Sequence, residues 1–319
     1  MSNFVEALIA ETRNPNFRLW QNYVATDAKA SLQTSSSKGE NEVATVKRLC
    51  NNLNVKNFNR ISLYSNKIHG KASNVSFLDE SNAANVRELA DMVVLSLITE
   101  NGRILYARMA FIQNKMEDKP REWDIQQDQL YLLTNFPTFD GVSGIFSGMT
   151  NVALPNPFGQ LGNYGLFCSP CEMVFANAGV ITAMQKGTRV AFDDIKKLTA
   201  EKRYELPSWG HVIYNLLRYG NFERSLPIFG TCPVALNMHQ FIRNWTQFNI
   251  GEEIVIDGFS CCTHLTNLAK KYMKAAGMDE LADLRIEHSE TDDRSVDSDI
   301  SDTGAAVMVA QLDISSPKR

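Results

Sequence analysis

No apolar run in this 319-residue chain approaches the roughly 20 residues of a membrane-spanning helix, so no membrane partner is expected. There is no Gly-x-x-x-x-Gly-Lys-Ser/Thr, which sets a P-loop aside, and no Gly-x-Ser-x-Gly elbow for an activated serine. A His-Glu-x-x-His zinc helix is missing too. The five histidines (His69, His211, His239, His264 and His288) stand apart, with no metal-ligand spacing. No repeat of fixed period is visible, and no basic tract is concentrated enough to bind nucleic acid by itself. The first residues, MSNFVEALIAE, hold two glutamates and no basic n-region, so a secretory signal is not expected and the cytoplasm is the default compartment.

What is present describes an ordinary globular chain, 44% apolar and 21% charged, long enough for two domains. The net charge of −4 is unevenly spread. Residues 279–302 carry ten Asp or Glu against Arg285 and Arg294, a balance of −8, so the remainder carries +4. That acidic stretch reads as a solvated loop; it could instead mimic nucleic acid or restrain a site until a partner displaces it.

The most informative segment is 87–115, RELADMVVLSLITENGRILYARMAFIQNK. Val93, Val94, Leu95, Leu97 and Ile98 form a nearly unbroken apolar run, as in a strand covered on both faces. Asn101-Gly102 tolerates the positive φ of a tight turn, and 103–115 returns alongside. A simple two-residue loop sets Asp91 opposite Ile112. One extra residue, a bulge or a longer loop, sets it opposite Gln113 on the same face.

With that shift, Asp91 and the Gln113 carbonyl become hard oxygen donors suited to Mg²⁺ or Mn²⁺. Lys115, two residues on, shares the face of Gln113 and is placed to steady an attacking water and the charge developing on phosphate. Otherwise Asp91 merely marks a strand edge. A third acid comes from a helix expected over 39–53, where Val46, Leu49 and Leu53 form a stripe that includes Glu42. Glu40 points to the far side, which makes Glu42 the candidate ligand. Its bland alternative is a carboxylate stabilised by the helix N-terminus.

A helix with Glu42, a strand with Asp91, a strand with Gln113-Asn114-Lys115 and then a helix: this order resembles the PD-(D/E)xK, or restriction-endonuclease-like, superfamily. The resemblance covers roughly residues 35–140. It implies an α/β core with a mixed sheet flanked by helices, and a metal-dependent endonuclease acting on DNA. The implied catalytic residues are Glu42, Asp91, Gln113 and Lys115, with Glu42, Asp91 and Gln113 on the metal. Gln113 stands where glutamate is commoner, which removes one negative charge and implies weaker metal binding. The segment 123–133 fits the helix behind the sheet, with Gln129 reaching toward the site. A looser likeness to nucleases of bacterial anti-phage defence implies a protein partner from a multi-component system, and the superfamily's habits allow a homodimer.

The expected organisation is therefore a helical extension over 1–34, a nuclease domain over 35–140, and an α+β recognition or regulatory domain over 141–319 that includes the acidic loop. Gly and Pro are dense over 139–165, the expected connection. Helices are expected after Pro207-Ser208 (Trp209, Val212, Leu216) and after Thr231-Cys232-Pro233 (Val234, Met238, Phe241, Ile242, Trp245). A strand over 252–257, a helix over 262–276 and a final strand over 304–314 complete the unit. Six cysteines raise one further question. Cys168-Ser-Pro-Cys171 has half a zinc-site spacing, and Cys261-Cys262-x-His264 is the one set that would complete a structural Zn²⁺ site; buried thiols are the plainer reading. A cysteine nucleophile at Cys232 with His239 lacks an orienting group. Against the nuclease stands a non-catalytic nucleic-acid- or protein-binding scaffold with a degenerate nuclease fold. Convergence of Glu42, Asp91, Gln113 and Lys115 on one point separates the two.

Overall fold

Three helices open the described chain. The computed structural model describes residues 3–68, 73–116, 121–168, 172–200, 205–207, 231–233, 235–286 and 304–315. Helix α1 spans Asn3–Arg13, α2 spans Pro15–Ser37 and α3 spans Glu42–Leu53. Pro15 occupies the start of α2, behind an Asn14 side chain that accepts from the Asn16 amide. Asn41 caps α3 by accepting from Ala44 N at 3.0 Å. This cap starts the helix three residues later than the apolar stripe suggests, and it leaves Glu40 outside.

Next come β1 (Lys56–Phe58), β2 (Ile61–Lys67), β3 (Asn74–Leu78), β4 (Ala84–Glu88), β5 (Met92–Glu100), β6 (Arg103–Met116) and β7 (Glu122–Asp124). Helix α4 (Gln127–Asn135) precedes β8 (Phe139–Gly141), β9 (Gly162–Cys168) and β10 (Glu172–Asn177). Further on lie β11 (Arg189–Ala191), β12 (Glu205–Pro207), β13 (Thr231–Pro233) and β14 (Ala235–Asn237). The last strands are β15 (Glu252–Ile256), β16 (Phe259–Ser260) and β17 (Ala306–Asp313).

One ten-stranded sheet organises the molecule, in the order β1-β2-β17-β5-β6-β9-β10-β14, with β15 and β16 attached through β6. Antiparallel and parallel pairs mix: β17 runs parallel to β5, β9 runs parallel to β6, and β5 is antiparallel to β6. Alternate residues of β5 face two separate cores. Val93, Leu95 and Leu97 pack with α4 and the helix Thr263–Ala275. Met92 and Val94 pack with α2, α3 and the helix Met238–Thr246. This is a mixed α/β fold, a large mixed sheet flanked by helices on both faces. No helix of the described residues is long and apolar enough to cross a membrane.

The division expected at residue 140 runs through this sheet. Strand β17 returns from the far end of the chain to lie between β2 and β5, while β9 and β15 share the other edge of β6. A strand buried on both faces still needs partners on both edges, and later segments supply them. The 1–34 boundary also falls inside α2.

Other expectations need correction. Trp123 lies in β7, which pairs with β11, and the helix behind the sheet begins only at Gln127. The helix expected after Pro233 begins at Met238, because Asn237 and Gln240 close a capping box and Ala235–Asn237 pairs with β10. The expected helix at Trp209–Leu217, Val234, Cys171 and 287–303 of the acidic loop lie outside the described residues. Of that loop's start, Asp279–Ala282 is a short helix. The strand near 252, the helix near 263 and the closing strand form as expected.

Trp245 ties one helical layer to the sheet: it is fully buried, and its indole N–H donates to Leu95 O at 3.0 Å. Trp245→Ala is expected to cost about 3–5 kcal/mol in a urea unfolding experiment. A loss below about 1 kcal/mol contradicts this packing.

Candidate functional site

The turn between β5 and β6 closes as the sequence suggests, with Asn101 at φ 48° and Gly102 at φ 78°. Glu100 pairs with Arg103 and Thr99 with Ile104. The register then shifts: Ile98 pairs with Tyr106, so Leu105 is the extra residue of a β-bulge. From there the ladder runs regularly to Met92 opposite Ile112. Asp91 therefore comes level with Gln113. A single inserted residue near the turn sets the register of the site at the far end of the hairpin.

Strand β6 continues beyond the end of β5, and its exposed ladder amides are taken up by carboxylates. Asp91 N donates to Ile112 O at 3.1 Å, the last backbone bond between the strands. Asn114 N, the next amide on that edge, donates to Asp91 Oδ2 at 2.7 Å, and Gln113 Nε2 donates to the same oxygen. Met116 N, the amide after that, donates to Glu42 Oε2 at 3.0 Å. Amides two residues apart on a strand are about 6.7 Å apart. Glu42, arriving from α3, and Asp91, arriving from the hairpin, are thus brought to neighbouring positions on one strand end.

Their electrostatics show mutual strain. Burial, followed by repulsion from Glu42 and Glu88, pushes the Asp91 carboxyl up to about 7. Burial also raises Glu42, opposed by Lys115, the Met116 amide and Lys67. Lys115 is partly exposed and lies within electrostatic reach of both carboxylates. The four expected residues are therefore gathered. Glu40 is not among them: Arg48 and Ser35 hydrogen-bond its carboxylate and hold it down at about 2.

A hard divalent cation asks for oxygen donors. Gln113 is buried, yet its Oε1 has no hydrogen-bond partner, so one amide oxygen stands orphaned beside two incompletely neutralised carboxylates. Oxygen donors of this kind fit Mg²⁺ or Mn²⁺. Among the described residues no three His, Cys, Asp or Glu side chains gather closely enough to hold a metal by themselves. The fit therefore depends on Gln113 and on water in the remaining positions. Of the expected zinc ligands, Cys168 is buried in the core, Cys261 is exposed and Cys262 is half-buried, while Cys171 lies outside the described residues.

Two charged groups at this site escaped the sequence pattern. Glu88 ends β4, and burial raises its carboxyl, with Glu42 among the repelling charges. Its position three residues before Asp91 was the available clue. Lys67 ends β2 and interacts electrostatically with Asp91 and Glu88. Nothing local marks it, because β17 intervenes between its strand and β5. Gln129 is buried and donates to Glu88 O at 3.0 Å, so it fixes the backbone ahead of Asp91 rather than reaching the carboxylates.

Stability in EDTA should carry the signature of Asp91. Its folded value of about 7 exceeds the ordinary 3.8, so between these pH values the native state keeps a proton that the unfolded chain has released. Stability contributed by this group is then lost as pH rises through the window. Asp91→Asn, which retains an oxygen for the Asn114 amide, should gain thermal stability over wild type between pH about 4 and 7. Parallel melting-temperature curves across that range contradict the assignment. No family model, no curated protein and no solved structure matches this chain, so function has to be read from these side chains.

Proposed function

We propose that the chain is a Mg²⁺- or Mn²⁺-dependent endonuclease that hydrolyses phosphodiester bonds in DNA, through a restriction-endonuclease-like site. One observation carries the reading. The Leu105 bulge brings Asp91 level with Gln113, at the strand end that Glu42 and Lys115 also occupy. Asp91, Gln113 and Glu42 would hold the metal, which supplies Lewis acidity and lowers the pKa of a bound water. Lys115 Nζ donates to a non-bridging phosphate oxygen, offsetting the charge that grows as the water oxygen attacks phosphorus and the sugar oxygen departs. Beside them in the sheet, buried Tyr164 lies opposite Gln113 and buried Leu166 opposite Lys115, which limits water on that side and strengthens these charge contacts. A role in bacterial anti-phage defence, with a protein partner or as a homodimer, extends the same proposal and stands on the resemblance alone.

A second reading has its own support. Asp91 and Glu42 each already accept a backbone amide, which gives both carboxylates a structural role in closing the end of β6. A binding scaffold needs no more than that.

Cleavage of supercoiled plasmid separates the two. Purified protein with Mg²⁺ or Mn²⁺ should nick it, EDTA should stop the reaction, and Lys115→Ala should lower the rate about 100-fold or more. Gln113→Glu, which adds a ligand charge, should lower the Mg²⁺ concentration needed for half-maximal cutting. Wild-type protein that binds DNA but never nicks it under these conditions favours the scaffold.

A further inference from the structure

The row of residues that crosses the sheet at this end is Lys67, Ala306, Met92, Ile112 and Asn163, each opposite the next. Ala306, Met92 and Ile112 all belong to the core beneath α3. Leu63 of β2 packs in that core too, and Lys67, four residues along the strand, shares its face. The ammonium accordingly reaches α3, where Nζ donates to Val43 O at a long 3.5 Å. Lys115 shares the face of Gln113 and Phe111, and Phe111 packs in the opposite core. The carboxylates of Glu42, Glu88 and Asp91 therefore have one lysine approaching from each face of the sheet.

We propose that Lys67 is a second phosphate-binding cation of this site, over which a nucleic-acid strand passes from β6 toward β2. The inference rests on the nuclease reading and names a substrate contact that the motif does not contain. Among the described residues Lys67 makes one hydrogen bond, the long one to Val43 O, so most of its three N–H donors are available. Its side chain is partly exposed, as a group that meets a ligand must be. To the extent that they are ionised, the three carboxyls at this end of the sheet repel a polyanion. A polyanion approaching it needs cations on both sides, and Lys67 supplies the side that Lys115 cannot reach. From β6 to β2 is three inter-strand spacings, about 14 Å, or about four nucleotides of a stacked strand. A substrate that spans both lysines is accordingly a polynucleotide and not a mononucleotide.

Binding of a short fluorescent DNA duplex to the full chain in EDTA, followed by anisotropy from roughly 50 to 200 mM salt, tests this without requiring turnover. Lys67→Met keeps the aliphatic stem; it should weaken binding and reduce the slope of log affinity against log salt by about 0.9. Lys67→Arg should retain the wild-type slope. Glu88→Gln, which removes a repelling charge, should bind more tightly than wild type, and it carries the test alongside Lys67→Arg where Lys67→Met melts early. Unchanged affinity and slope in Lys67→Met, together with unchanged affinity in Glu88→Gln, overturn the proposal. Plasmid nicking in Mg²⁺ tells the two failures apart. Nicking by wild type with Lys67-independent DNA binding removes this inference and leaves the nuclease standing, whereas wild type that neither nicks nor binds DNA removes both.

Discussion

Strand β6 outruns its partner β5, and the candidate site is the consequence. A strand that loses its neighbour exposes backbone N–H groups that must find acceptors. Here Asn114 and Met116 find them in Asp91 and Glu42, so two carboxylates from different layers are drawn to one strand end. Burial raises both carboxyls, repulsion from Glu42 and Glu88 adds to the rise at Asp91, and a cation or a proton relieves that strain. The same unmet backbone bonds that organise the candidate site also concentrate its charge.

Strand β6 has further demands on it. On the edge opposite β5 it pairs with β15 over Tyr106–Met109 and with β9 over Phe111–Met116. Where β15 joins, Gly251 sits at φ +91°, and a Cβ there would lie 2.3 Å from Met109 O. Beside it Arg108 and Glu253 are buried as a pair, with Nη2 and Oε1 3.7 Å apart, and Tyr106 donates to the same oxygen at 2.7 Å. Buried pairs of this kind contribute little net stability, but removing one partner strands the other charge. The strand is thus pinned along its length by polar contacts as well as by apolar packing, which keeps its far end in a defined position.

Much of this was legible in the sequence because it is local. The apolar run of β5 and the Asn101-Gly102 turn are short-range signals, and both form as read. Glu42 sits at the start of α3, whereas Glu40 precedes the Asn41 cap, so the cap and not helical periodicity separates the two. The cap at Asn41 and the capping box at Asn237 moved helix starts by a few residues, since a single side-chain hydrogen bond decides where a helix begins. Trp123 was read as helical because one turn of apolar spacing resembles a strand of three residues; pairing with β11 decided it.

By itself, the sequence determined the hairpin and the sheet strands rich in apolar side chains, because spacing along a chain dictates which faces they share. It left the bulge open, since either register satisfies the turn, and only packing of β5 and β6 against the two helical layers selects the one that puts Leu105 out of step. Tertiary structure alone placed β17 between β2 and β5, joining both halves of the chain in one sheet. It also brought Lys67 within electrostatic reach of Asp91. Contacts between segments hundreds of residues apart leave no periodic trace, because the hydrogen bonds that make them are backbone bonds, indifferent to the side chains they bring together.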